Sequence, residues 1–199
     1  MNFFTVIVVL ITYFVCSINP AIEICKFKTG QDIRKLGSGN AGTANAMRVL
    51  GKPIGILVVL LDVSKVFLSF LACIMLGKVF NQDIGVAMRS VFMVSAVVGH
   101  CFPIYYKFRG GKGIIVGITI AVIINKQIAL ICIIVGIVVI IVTRVVSIST
   151  LIGLLTYIIL AFFQMSNYII PISIVALIII FKHRGNIQRI FNRQEERLW

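Results

Sequence analysis

Ile114 to Val142 reads IIVGITIAVIINKQIALICIIVGIVVIIV, and whether it crosses a membrane once or twice decides the topology of the whole chain. Asn125-Lys126-Gln127 interrupts it. Read whole, it is one bent apolar segment. Split at the interruption, it is two runs, 114–125 and 127–142, each shorter than the ~20 residues of a perpendicular helical span. Working outward, further apolar runs cover 3–19, 53–77, 84–106, 145–164 and 168–181, each ending where Lys, Arg, Asn or Pro cluster.

Charge separates the alternatives. With two crossings at 114–142 the chain crosses seven times, and segments 20–52, 107–113, 143–150 and 182–199 fall on one side with most of the 19 Lys and Arg residues. Lys78 and Lys126 lie on the other side, and Lys65 and Arg89 lie within spans. A single crossing would send the basic tail to the opposite side and break the positive-inside rule. The expectation is therefore an all-α integral membrane protein of about seven transmembrane helices. Its N-terminus is outside, its C-terminus is cytoplasmic, and residues 1–199 form a single domain.

Composition agrees. Hydrophobic residues make up 60% of the 199 and charged residues only 13%, and the mean hydropathy is +1.09. A soluble fold has no means of hiding that much apolar surface. The net charge of +13 is set against six acidic residues, so the cations must mainly face anions, either lipid headgroups or anionic substrates. Nucleic acid is a poor candidate because the basic residues sit in short loops between apolar runs. No Lys or Arg precedes the first apolar run and Cys16-Ser17-Ile18 makes a weak cleavage site, so a retained span is expected over a signal peptide. The five cysteines form no C-x-x-C pair and read as small hydrophobes. No internal repeat is evident, which gives no support to an inverted-repeat transporter.

Two glycine-rich segments carry the polar chemistry, and both fall on the cytoplasmic side of this topology. In Gly37-Ser38-Gly39-Asn40-Ala41-Gly42, the glycines open the backbone to an anion, and Thr43 to Leu50 reads as a short helix closed by Gly51. Ser38, Gly39, Asn40, Asn45 and Arg48 are its candidate phosphate contacts. This is no Walker A loop, because Thr43 stands where that motif needs Lys. Arg109-Gly110-Gly111-Lys112-Gly113 repeats the logic, with two cations flanking bare backbone just before an apolar run. Basic residues at span ends often do no more than bind headgroups, but the paired glycines favour a substrate site.

His100 and His183 are the only histidines, each at a cytoplasmic span end. Each is a candidate base or a hydrogen-bonded structural residue. Without a clustered carboxylate or cysteine, they make no metal site, and no cofactor is expected. Asp62 and Lys65 stand three apart in an apolar run and so share a helix face, where pairing is the cheapest arrangement. Ser147 follows Arg144 at a span end, and His183 and Asn186 are spaced to share a helix face.

Taken together, these residues resemble the PlsY family, the membrane acyl-phosphate:glycerol-3-phosphate acyltransferases of bacterial phospholipid synthesis. The likeness rests on Asp32-Ile33-Arg34 leading into Gly37-Ser38-Gly39-Asn40 with Asn45, Arg48 and Gly51-Lys52, and on Leu61-Asp62 with Lys65. It continues through Gly99-His100 with Phe102-Pro103, Phe108 to Gly113, Arg144 with Val146-Ser147, and His183-Arg184 with Asn186-Ile187. The resemblance implies a multi-pass enzyme of the bacterial cell membrane that needs no metal or nucleotide. It would transfer an acyl group from acyl-phosphate to the 1-hydroxyl of glycerol 3-phosphate, giving lysophosphatidic acid and inorganic phosphate. It further implies that Ser38, Arg48 and Lys112 engage phosphates, and that Ser147, His183 and Asn186 help hold glycerol phosphate. Ala44 stands where the family usually has Thr, and Arg109 where it usually has Lys. The rival reading is a small membrane transporter for an organic phosphate, which would want polar residues across the midplane. The chain offers only Asp62, Lys65 and Arg89 within its apolar runs.

Overall fold

The structure, a computed structural model, describes residues 3–197. Among the described residues there are ten α-helices: α1 Phe3–Ser17, α2 Pro20–Thr29, α3 Thr43–Leu50, α4 Lys52–Val79, α5 Val86–Cys101, α6 Ile114–Ile124, α7 Lys126–Thr143, α8 Val146–Gln164, α9 Ile169–Lys182 and α10 Arg184–Phe191. Short 3-10 turns lie at Ile33–Lys35, Ile104–Tyr106 and Ser166–Tyr168. No strand occurs among the described residues.

The helix breaks have local causes. Asn19 caps α2 by accepting from Ile22 N–H, with Pro20 opening the helix, and Gly30 closes it in the left-handed region at φ +70°. The break in the deciding stretch is a cap too: Asn125 accepts from the N–H groups of Gln127 and Ile128, both at 3.1 Å. Arg144, at φ +60°, ends α7 and separates it from α8.

Helices thus occupy all seven apolar runs, but among the described residues five segments qualify as spans by length and composition: Phe3–Thr29, Lys52–Val79, Val86–Tyr106, Lys126–Thr143 and Val146–Gln164. A sixth is gained if Ser166–Lys182 and Arg184–Phe191, bent by 59°, count as one. α6 has 11 residues. It rises only about 16 Å, roughly half the hydrocarbon thickness. Along α7 and α8 few side chains in the apolar window are buried, which suits a lipid-facing surface and no aqueous one.

The chain divides into two compact units, 1–119 and 120–199. In the first, α1 packs on α4 and α5, and α3 lies along α4. Ala21, Ile22, Cys25, Ile33, Ala41, Ala46, Val58 and Tyr106 form a buried cluster that ties α2, the first 3-10 turn, α3 and α4 together. In the second, α7 packs on α8 and α8 on α9. Ser149 Oγ of α8 donates to Gly136 O of α7 at 2.6 Å.

Candidate functional site

In the first unit the glycine-rich segment before α3 is a tight loop held from inside. Gly37 and Gly39 sit at φ +55° and +71°. A Cβ on Gly37 would overlap Asn45 Oδ1, so that position admits no side chain. Asn45 is buried, and its amide is the loop's internal staple. Nδ2 donates to Ile33 O at 3.2 Å, Leu36 O at 3.0 Å and Asn40 O at 3.0 Å, while Oδ1 accepts from Ser38 N–H at 2.8 Å. An amide so engaged holds the loop's shape and has little capacity left for a ligand.

The expectation of open backbone donors is likewise corrected at two places. Ser38 N–H is taken by Asn45, and Gly39 N–H by Leu36 O at 3.0 Å. What the loop does present is the exposed side of Ser38 and, from the α3 helix that follows it, the exposed Arg48. Thr43, which opens α3, keeps a buried hydroxyl that makes no hydrogen bond among the described residues.

The second glycine-rich segment is brought against the first. Gly110 N–H donates to Cys101 O at 3.2 Å, and a Cβ on Gly110 would stand 2.6 Å from Pro103 Cδ. Gly111 is buried at the meeting point: a Cβ there would overlap His100 Nε2 and lie 2.9 Å from Ala41 O of the first loop. Three sequence candidates, His100, Gly111 and the 37–42 loop, therefore converge, with half-buried Lys112 next in the chain.

Behind His100 lies a buried network. Asp62 and Lys65 of α4 form the ion pair their spacing predicts, Nζ to Oδ1 at 2.8 Å. Lys65 Nζ also reaches Ile18 O at 2.7 Å and His100 Nδ1 at 3.0 Å. Arg89 donates from Nε to Ile84 O at 3.0 Å and so takes part in the local turn before α5.

Sequence reading missed the lock between the two loops. Arg34 pairs with Asp32 at 2.6 Å and donates from Nη1 to Tyr106 O at 2.7 Å and Arg109 O at 3.0 Å. The Arg34 hydrogen bond, outweighing the opposing effect of burial, lowers the Asp32 carboxyl to about 2. The same pairing raises the Arg34 guanidinium. Arg109 itself lines a cavity of about 430 Å³ with Asp32, Arg34, Lys35 and Lys107. Only the alternation of charge in Asp32-Ile33-Arg34 hints at this role.

The second unit assembles its own polar cluster. Ser147, in the first turn of α8, and Asn186, in the first turns of α10, are both buried. Both donate to Glu195 Oε1, Ser147 Oγ at 2.7 Å and Asn186 Nδ2 at 2.5 Å, while Arg189 Nε donates to Oε2 at 2.7 Å. Burial raises the Glu195 carboxyl, but the hydrogen bonds from Asn186, Ser147 and Arg189 outweigh it and the net direction is down. Glu195 was not a sequence candidate, since a glutamate in a charged tail carries no distinguishing signal. His183 is buried at the α9–α10 bend with Nδ1 2.8 Å from Ile179 O. A carbonyl only accepts, so Nδ1 carries a proton. Among the described residues no cluster of three or more His, Cys, Asp or Glu has the arrangement of a metal site.

Comparison with known proteins gives one consistent result. The glycerol-3-phosphate acyltransferase family profile matches residues 6–193. Glycerol-3-phosphate acyltransferase of Thermoanaerobacter sp. (strain X514) is 34% identical over 197 residues, covering 98% of this chain and 96% of that one. The enzyme of Finegoldia magna is 34% identical over 202 residues, covering 100% and 98%. Among solved structures, the glycerol 3-phosphate form of PlsY (YgiH), an integral membrane glycerol 3-phosphate acyltransferase, superposes with a TM-score of 0.87 at 29% identity, covering 98% of this chain and 96% of that one. The lysophosphatidic acid form gives 0.83 at 27%, covering 98% and 95%.

Proposed function

Because the chain belongs to the glycerol-3-phosphate acyltransferase family, we propose that it acylates glycerol 3-phosphate with acyl-phosphate as donor, releasing lysophosphatidic acid and inorganic phosphate. The observation that carries the reading is the meeting of both glycine-rich loops at Gly111, with Lys112 beside it and Arg48 on α3, the helix that follows the first loop. An acyl-phosphate is already activated, so no acyl-serine or acyl-cysteine is required. The protein has to bring two phosphate-bearing molecules together, offset their repulsion, and stabilise a tetrahedral oxyanion. Arg48 and Lys112 supply the positive charge. The 1-hydroxyl of glycerol 3-phosphate attacks the acyl carbon, its proton passes to a substrate phosphate or to His100, and the intermediate collapses with departure of phosphate.

The remaining assignments belong to the same proposal. Ser38, Gly39, Asn40, Arg109 and Gly110 border the donor phosphate, with Asn45 acting through the shape of the loop. Ser147, His183 and Asn186 bind glycerol phosphate. The chain works as one acyltransferase domain in the bacterial cell membrane, crossing seven times with its N-terminus outside and its reactive face cytoplasmic. Charge asymmetry supports this orientation, and α6 crosses with its flanking residues or through a thinned bilayer.

Purified protein supplied with acyl-phosphate, acyl-CoA or acyl-carrier protein and labelled glycerol 3-phosphate tests the reading. Turnover is expected with acyl-phosphate alone. Full turnover in Arg48→Ala and Lys112→Ala would overturn the electrostatic scheme, and an acylated enzyme trapped in mass spectrometry would overturn direct transfer.

A further inference from the structure

We infer that Lys65 is a positioning residue that holds His100 as the neutral tautomer with its proton on Nε2, so that His100 supports the second glycine loop as a donor. The kinetic consequences rest on the acyl-transfer reading above; the tautomer does not.

Lys65 Nζ has three N–H bonds and three neighbours at bonding distance: Ile18 O at 2.7 Å, Asp62 Oδ1 at 2.8 Å and His100 Nδ1 at 3.0 Å. Ile18 O can only accept, so one ammonium proton is committed to it, while Asp62 Oδ1 faces the ammonium as an ion-pair partner without hydrogen-bond geometry. Another proton points at Nδ1. Two charge assignments keep the group neutral: an ammonium with a neutral imidazole, or a neutral amine with an imidazolium. Asp62 Oδ1 lies 2.8 Å from Nζ against 3.5 Å from Nδ1, which places the positive charge beside the carboxylate, on Lys65. Nδ1 then accepts, and the ring's one proton sits on Nε2. All three side chains are almost wholly buried, Asp62 at 2%, Lys65 at 6% and His100 at 4% exposure, so bulk water does not compete for these bonds. An ion pair this deep in an apolar helix is costly to keep, and it terminates on an imidazole that touches Gly111.

Nε2 is the nitrogen against Gly111, close enough that a Cβ there would overlap it. A nitrogen that already carries a proton cannot take another from substrate. His183 has the opposite arrangement, with Nδ1 donating to Ile179 O at 2.8 Å, so the two rings are distinguishable by their nitrogens.

The test is nitrogen-15 NMR on full-length protein labelled at histidine in detergent or nanodiscs, at neutral pH. With two histidines in the chain, His100→Gln assigns the signals by subtraction. The expected pattern for His100 is a pyridine-type Nδ1 and a pyrrole-type Nε2. A pyrrole-type Nδ1, or an imidazolium with both nitrogens protonated, would overturn the inference whether or not the protein transfers acyl groups. In kinetics, Lys65→Met is expected to lower kcat about ten- to hundredfold with KM nearly unchanged, as a displaced loop would. His100→Gln, whose amide N–H replaces the Nε2 donor, is expected to keep more turnover than His100→Ala. Equal loss in both would contradict the donor role. Absence of turnover in the unmodified protein with acyl-phosphate would instead sink the proposed reaction and leave the NMR result standing.

Discussion

Gly111→Ala puts the convergence of the two loops to its sharpest test. The new methyl would overlap His100 Nε2 and lie 2.9 Å from Ala41 O, whereas ordinary contact begins at 3.4 Å. Relief requires the loop and its neighbours to part by about 1 Å, and packed surroundings resist such a shift. Neither neighbour yields easily: His100 is held from behind by Lys65 at 3.0 Å, and Ala41 O is backbone that already accepts from Asn19 Nδ2 at 3.1 Å. Overpacking of this kind costs about 1–3 kcal/mol, or several degrees in melting temperature for a chain of this size. A displacement of about 1 Å in the groups flanking Lys112 should lower turnover about a hundredfold. Gly30→Ala is the control. Gly30 sits at φ +70° with nothing within 4 Å of an added methyl, so alanine meets only backbone strain of about 1 kcal/mol and acyl transfer should be near normal. Melting temperature in detergent and initial rates with acyl-phosphate are the measurements. If Gly111→Ala matches Gly30→Ala in both, the two loops do not meet as described.

Asn45→Ala strands Ser38 N–H and three carbonyls and should cost on the order of 3 kcal/mol; Asn45→Asp keeps the acceptor for Ser38 yet loses both donors, so it too should unfold at lower denaturant. Arg34→Lys, unable to span Asp32, Tyr106 O and Arg109 O at once, should raise proteolytic cleavage in the 107–113 segment. The Asp32 carboxyl, lowered from 3.8 to about 2, contributes fully above its unfolded value and loses its effect as pH falls through about 2, so this lock should survive mild acid. Glu195 follows the same sign: its folded value lies below the ordinary 4.5, so the tail anchor is intact above 4.5 and is released on acidification. Limited proteolysis of the tail should show that release in the unmodified protein, and Glu195→Gln should be cleaved at one rate across the range.

Hydropathy and charge are additive along the chain, which is why the helices could be placed from sequence. The seven apolar runs, the break at Asn125-Lys126-Gln127 and the short helix from Thr43 to the Gly51 stop all correspond to helices or caps in the structure. The Asp62–Lys65 pair was equally legible, because residues three apart on a helix have no choice but to be neighbours. Asn45 shows where this kind of reading ends. An amide in a glycine-rich loop serves a ligand or the backbone equally well by composition, and only its four partners show that it serves the backbone.

Sequence by itself therefore determined an all-helical membrane chain with its cations gathered in a few loops, and it marked those loops as the candidates for handling phosphate. Tertiary structure alone decided what each polar group does. It brought Gly111 against His100 and Ala41, made Arg34 the tie between loops some seventy residues apart, gathered Ser147, Asn186 and Arg189 onto Glu195, and set which histidine nitrogen faces which partner. The physical reason is that hydrogen bonds are short and saturable. A donor's role is set by whichever acceptor lies within about 3 Å, and over such separations in the chain that is a property of the fold.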